Sequence, residues 1–328
     1  MEREDDCPQN GIILLFYNPK SGSFNGSRIL SRVKKHHDQV LTFCMSDSFL
    51  PSTLKFIIPS SQMRIVICGG DISLFGWVLR TLEEAGWNYI PPICLVPLGT
   101  GNDLAKSFCI SKLSHFSLDQ ICDWCQKAPQ YSLDRWNFKA ASASKPIVFT
   151  NYLGFGVDAA VALRFNEMRK ACPWLFLYQP LNIVWYVVNI VKELYAPTVV
   201  KLTNLHLEVD GKEYDTSPYQ CIVLLNIPFF CGGGTPLGTE FAYSQCNDGE
   251  IEVVGFSTIP HVLKAKFGLS KGVVIAKGKS VHWRLSEPCP IEADGEPWMQ
   301  ETSEGFVTLH DQIMMLVDSI ESIQQTCT

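Results

Sequence analysis

Positive charge is not in excess: 27 Lys and Arg stand against 33 Asp and Glu, for a net charge of -6. That balance excludes a broad electrostatic grip on nucleic acid, so any phosphate must be held locally. No secretory signal is expected either, because Met1-Glu2-Arg3-Glu4-Asp5-Asp6 has neither the basic start nor the apolar run of a signal peptide. Thirteen cysteines show no repeated spacing, and Cys122-x-x-Cys125 has neither a second CxxC nor paired histidines to complete a zinc site. Reduced thiols in the cytoplasm are the expectation, and there the Asn25-Gly26-Ser27 glycosylation pattern means nothing.

An unbroken membrane span is also lacking. Residues 174–191 carry no charge, but Gln179, Pro180, Asn182 and Asn189 interrupt them, and a bilayer needs about 20 predominantly apolar residues. A buried or half-buried helix is expected, with docking on a membrane by an apolar face the other use of this stretch. Neither standard nucleotide fingerprint occurs: GxxxxGK[ST] is absent, and Gly99 to Leu104, the nearest approach to GxGxxG, lacks the last glycine.

What is present is a globular composition, 46% hydrophobic and 18% charged over 328 residues, enough for two domains. Three apolar, β-prone runs each end in a glycine-containing turn before a plausible helix. Residues 12–17 lead into Asn18-Pro19-Lys20-Ser21-Gly22, residues 64–68 into Gly69-Gly70-Asp71-Ile72-Ser73, and residues 93–96 into Pro97-Leu98-Gly99-Thr100-Gly101-Asn102-Asp103. Leu74, Val78, Leu82 and Ala85 then recur on one helix face, ended by Gly86. If the strands are parallel, the three turns share the sheet edge where α/β folds bind ligands. Glycines suit that edge, since a Cβ would keep backbone N–H groups from a polyphosphate.

Beyond about residue 140 short alternating runs (205–209, 219–227, 250–256, 281–285, 306–309) are separated by turns such as Asp210-Gly211 and Asp248-Gly249. This half is expected to be largely antiparallel. The small-residue stretch 140–146 reads as an exposed linker or loop, which sets the expected domains at 11–140 and 146–317.

The three turns, in this order, resemble the catalytic domain of eukaryotic diacylglycerol kinases. Asn151-Tyr152-Leu153-Gly154-Phe155-Gly156-Val157-Asp158-Ala159, Asn226-Ile227-Pro228 with Gly232-Gly233-Gly234-Thr235, Asp248-Gly249-Glu250-Ile251-Glu252-Val253 and Asp294-Gly295-Glu296-Pro297-Trp298 are similar to that family's accessory domain. The resemblance implies an α/β lobe of the phosphofructokinase/NAD kinase-like fold, a β-rich lobe, and ATP with Mg²⁺ between them. It implies γ-phosphoryl transfer to the hydroxyl of diacylglycerol in a membrane, giving phosphatidic acid, by a cytoplasmic, peripheral membrane protein.

On that resemblance the phosphate cradle falls to Gly69, Gly70, Ile72, Ser73, Gly99, Thr100, Gly101 and Asn102, with Asn18, Lys20, Ser21 and Gly22 closing over it. Mg²⁺ favours carboxylates and water, which points to Asp71, Asp103, Asp134 and Glu296. Asp294 is the first choice for general base and Asp71 the second, with Glu296 in the catalytic group. Two plain alternatives stand beside these: Asp134 as a surface ion-pair residue, and Asp294-Gly295 as a hairpin turn.

One residue departs from the family's Gly-Gly-Asp-Gly-Thr loop: Ile72 stands at its fourth position. The consequence expected is weakened ATP use. Two other readings remain, a catalytically inactive relative that binds lipid, membrane or a partner, and a related kinase of sphingoid bases or ceramide.

Overall fold

The computed structural model describes residues 11–19, 39–47, 50–70, 73–99, 101–172, 174, 185, 188–193, 195, 201–238 and 246–321. The chain forms two compact units, passing from the first to the second at 133/134 and returning at 312/313.

In the first unit β1 (Ile13–Tyr17), β2 (Val40–Cys44), β3 (Arg64–Gly69) and β4 (Ile93–Pro97) pair in parallel in the order β2-β1-β3-β4. Parallel strands covered on both faces read as continuous apolar runs, and all five residues of β4 are buried. Helices α1 (Leu50–Leu54), α2 (Ser73–Glu84), α3 (Asp103–Ser107) and α4 (Leu118–Lys127) complete this unit. Leu74, Val78 and Leu82 form the buried stripe of α2, while Ala85 lies one residue past its end. Gly86 takes φ +85°, and the Trp87 indole donates to the Leu54 carbonyl at 3.0 Å, fastening the exit of α2 to α1. Ser117 and Gln120 start α4 with a reciprocal capping box.

The second unit has two sheets. In one, β12 (Val273–Gly278), β11 (Ile251–Phe256), β10 (Cys221–Leu225), β7 (Tyr152–Gly156), β14 (Cys289–Ala293) and β15 (Glu296–Gln300) lie side by side, each antiparallel to its neighbours. The other joins β13 (Ser280–Leu285) to β8 (Leu205–Val209) and β9 (Lys212–Tyr214) on one side and to the N-terminal part of β16 (Ser303–Leu316) on the other. Here β5 (Gln130–Ala140) pairs antiparallel with β6 (Ile147–Phe149). The exposed 141–146 stretch is thus the loop of a hairpin inside this unit.

Alternation assigns the two faces of the six-stranded sheet. Ile222 and Leu224 of β10 join Phe155, Ile291, Trp283 and Phe138 in the core between the sheets, where Phe138 stacks on Trp283 at 4.7 Å. Cys221, Val223 and Leu225 face the opposite way, into a core shared with α5 (Val157–Ala171) and α6 (Ile259–Lys266). The expectation of an α/β lobe plus a largely antiparallel lobe holds. Among the described residues no helix is long and apolar enough to cross a membrane. Most of 174–191 lies outside them, and Trp174 is exposed.

Candidate active site

The connection from β1 leads to β2 on one side while β3 lies on the other, so the strand order reverses between β1 and β3, the place where open α/β sheets take ligands. The Asn18 N–H donates to the Cys68 carbonyl at 3.4 Å and the Leu98 N–H to the Gly69 carbonyl at 2.8 Å, so the ends of β1, β3 and β4 are bound to one another. Gly99 and Gly70 close this edge: a Cβ on Gly99 would sit 2.9 Å from the Gly70 Cα and 2.9 Å from the Asn102 Oδ1. A Cβ on Gly69 would meet Leu74 Cδ2 at 2.4 Å. Asn102 holds left-handed backbone (φ +53°), and its Nδ2 donates to the Gly99 carbonyl at 2.8 Å, bracing the turn ahead of α3. Asp103, buried at the start of α3, lies 3.7 Å from Lys106 Nζ.

The structure therefore brings together Gly69, Gly70, Gly99 and Asn102, with Gly101 and Asp103 next in the chain. Ser73 opens α2. Lys20, Ser21, Gly22, Asp71, Ile72 and Thr100 lie outside the described residues. Buried thiols back this sheet: burial pushes Cys68 and Cys122 up to about 12, and their neighbour Cys125 is buried too, which suits inert packing rather than redox chemistry.

The second unit holds Asp134, Asp294 and Glu296. Asp134 is fully buried; its carboxylate accepts from the Gly249 N–H at 2.8 Å and the Gln312 Nε2 at 2.7 Å, and burial raises its pKa. That burial rules out the surface ion-pair alternative. Asp294 (φ +48°) and Gly295 (φ +75°) form the turn between β14 and β15. Its carboxylate also accepts from the backbone N–H groups of Asn151 (2.7 Å), Thr150 (2.8 Å) and Tyr152 (3.2 Å). Burial outweighs these three donors and pushes Asp294 up to about 6. Glu296 is exposed at the start of β15.

Asn226, fully buried, ties this region together. Its Nδ2 donates to the Asp134 carbonyl (2.7 Å) and the Thr150 carbonyl (2.6 Å), and its Oδ1 accepts from the Trp136 indole at 2.9 Å. Asn226→Leu strands all three partners and is expected to cost about 2–3 kcal/mol in urea unfolding. A change below about 0.5 kcal/mol would show that the network does not hold this region.

Sequence reasoning gave no role to Asp158, Glu292 or Glu252. Glu292 and Asp158 are both buried, and burial followed by the Asp158 charge drives Glu292 well above the carboxylate range. Gly154 makes room, since a Cβ there would stand 3.2 Å from Glu292 Cγ. The available signal was an acid within the otherwise apolar, wholly buried strand CPIEA. Among the described residues no group of three or more His, Cys, Asp or Glu side chains is placed to hold a metal.

Fold and turns define a two-unit protein whose α/β sheet has a glycine-closed edge at the strand ends. A model of the diacylglycerol kinase catalytic domain matches residues 12–129, and one of the diacylglycerol kinase accessory domain matches residues 148–297. The chain belongs to the diacylglycerol kinase family. It is 30% identical to human diacylglycerol kinase zeta over 342 residues, covering 96% of this chain and 36% of that protein. It is 29% identical to Arabidopsis thaliana diacylglycerol kinase 1 over 328 residues, covering 94% and 45%. The chain thus spans less than half the length of these relatives. A crystal structure of a diacylglycerol kinase from Bacillus anthracis shares the fold at 14% identity with a TM-score of 0.56, covering 94% of this chain and 97% of that one. A second structure from the same organism reaches 0.62 at 16% identity, covering 93% and 97%.

Proposed function

We propose that the chain transfers the γ-phosphoryl group of ATP to the free hydroxyl of diacylglycerol at a membrane surface, forming phosphatidic acid. The observation that carries this reading is the contact of Gly70 with Gly99, two strand-end turns that approach within a Cβ's width where an α/β sheet receives its ligand. Gly69, Gly70, Gly99, Thr100, Gly101 and Asn102 would offer backbone donors to the phosphates, with Asn18, Lys20, Ser21, Gly22 and Ser73 beside them. Mg²⁺ would be held by Asp71 and Asp103, with Asp134 and Glu296 as further candidates, and when bound it neutralises charge on the phosphate oxygens.

Asp294 is the proposed base. Its pKa of about 6 leaves it ionised at neutral pH, and three amide donors leave a carboxylate, with its four lone-pair sites, room to accept the hydroxyl proton. Asp71 is the second choice.

The test is transfer of labelled phosphate from ATP to diacylglycerol in mixed micelles with Mg²⁺. Turnover that is lost in Asp71→Ala and declines below about pH 6 is the expected result. Turnover confined to sphingosine or ceramide would replace the acceptor. Ile72 favours a second reading, a family member that binds ATP without turning it over; saturable nucleotide binding with no transfer to any of these lipids would establish it.

A further inference from the structure

The net charge of -6 is unevenly distributed. From Ser257 to Ser286 the chain contains no Asp or Glu, but it does contain Lys264, Lys266, Lys271, Lys277, Lys279 and Arg284. Lys277 lies 2.6 Å from Asp248; where α6 turns into β12, Lys264 and Lys271 are exposed and Lys266 is half-buried.

Large apolar side chains stand in solvent at the same corner: Phe267 is 72% exposed, Leu269 76%, Val274 58% and Val273 45%. The backbone explains why they point outward. Gly268 (φ +69°) ends α6 in a Schellman turn, its N–H bonded to the Ala265 carbonyl and the Leu269 N–H to the Lys264 carbonyl at 2.8 Å. In such a turn the residue after the glycine commonly packs back on an apolar residue of the last helical turn. Here the nearer of the two possible partners is Lys264 and the other, Leu263, packs into the core, so Leu269 is left outside.

The corner is firmly built. His261 Nδ1 accepts from the Ser257 N–H, leaving Nε2–H to donate to the Lys271 carbonyl at 2.7 Å, and the Gly272 N–H donates to the Pro236 carbonyl at 2.7 Å. β12 is an edge strand, so Val273 and Val274 lie at the margin of the sheet. The inner face of α6 lines an apolar crevice with Val157, Val161, Ile190, Ile259, Val262 and Lys266 among its walls. The helix thus presents apolar surface on its inner side and, one residue past Lys266, on its outer end.

We infer that this α6–β12 corner is the surface by which the chain docks on an anionic bilayer, Phe267 and Leu269 entering the acyl boundary while Lys264 and Lys271 meet the headgroups. Apolar side chains on a rigid turn ringed by lysines, within an otherwise acidic chain, match a surface that is apolar beneath a negative layer. The inference rests on the reading that the substrate lies in a membrane, but it concerns binding and needs no turnover.

The test is co-sedimentation with vesicles of phosphatidylcholine and phosphatidylserine, and of phosphatidylcholine alone, without ATP or diacylglycerol. Binding should need phosphatidylserine and weaken with salt. Phe267→Ser/Leu269→Ser and Lys264→Glu/Lys271→Glu should each lower the partition coefficient at least about tenfold, with thermal melts matching the parent. Phe56→Ser/Ile58→Ser, which alters two exposed apolar residues of the first unit, should leave it unchanged. The inference is overturned if the parent ignores vesicles, if the Phe56/Ile58 pair carries the binding, or if the corner variants abolish only self-association, which would mark a contact between copies of the chain.

Discussion

Ile72→Gly is expected to raise phosphoryl transfer to diacylglycerol by about 10²-fold or more. Only Asp71 and Ile72 separate Gly70, packed against Gly99, from Ser73 at the start of α2. The family carries glycine at the fourth position of this loop, where left-handed backbone and unobstructed amides suit a phosphate. If the backbone there is left-handed, a β-branched residue costs at least about 1–2 kcal/mol in strain, and a side chain at that position would take space that a phosphate needs. Losing one aligned amide donor removes about 10² to 10³ in rate at sites that stabilise developing oxygen charge. Initial rates in mixed micelles, with nucleotide affinity measured separately, read the two costs apart. Equal rates for parent and variant would mean that the loop has shifted to accommodate isoleucine.

The sheet edge was legible in the sequence because its strands are buried on both faces. Residues 13–17, 65–68 and 93–96 are continuous apolar runs, which local composition reports faithfully. In the second unit β8 and β13 alternate and were found by period; β10, read as part of an alternating run, is buried on both faces, and β14, equally buried, was not read as a strand. Residues 140–146 were read as a domain boundary because small residues mark a loop without revealing whether it joins two strands of one unit.

At the site, the glycines followed from the need for space, and the Gly70–Gly99 contact is where they meet. The partners of the buried acids did not follow. Asp134 receives its donors from Gly249 and Gln312, and Glu292 packs against Asp158; pairings so distant along the chain leave no local pattern. For Asp294-Gly295 the hairpin reading describes the backbone, while the three amides at its carboxylate come from residues 150–152.

Those buried acids lead to the last prediction: stability should fall as pH rises from about 4.5 to about 8, with Glu252 a main source. Glu252 on β11 is 4% exposed. Burial pushes its carboxyl up to about 8, outweighing Lys277 Nζ at 3.3 Å, which is itself closest to Asp248 at 2.6 Å. A carboxyl whose pKa is raised in the fold stabilises it fully below the unfolded value near 4.5. That contribution is lost as pH climbs through the folded value, because the unfolded chain gives up its proton first. At roughly 1.4 kcal/mol per unit the loss is on the order of 4 kcal/mol. Asp294, raised to about 6, and Glu292 act in the same direction, so the parent's total slope does not isolate Glu252. Glu252→Gln does, since the amide stays neutral across the range. Urea unfolding at pH 5 and pH 8 should show the variant gaining several kcal/mol relative to the parent as pH rises. A parent-to-variant difference independent of pH would mean that Glu252 is ionised in the fold and that its ion pair with Lys277 at least offsets the cost of burial.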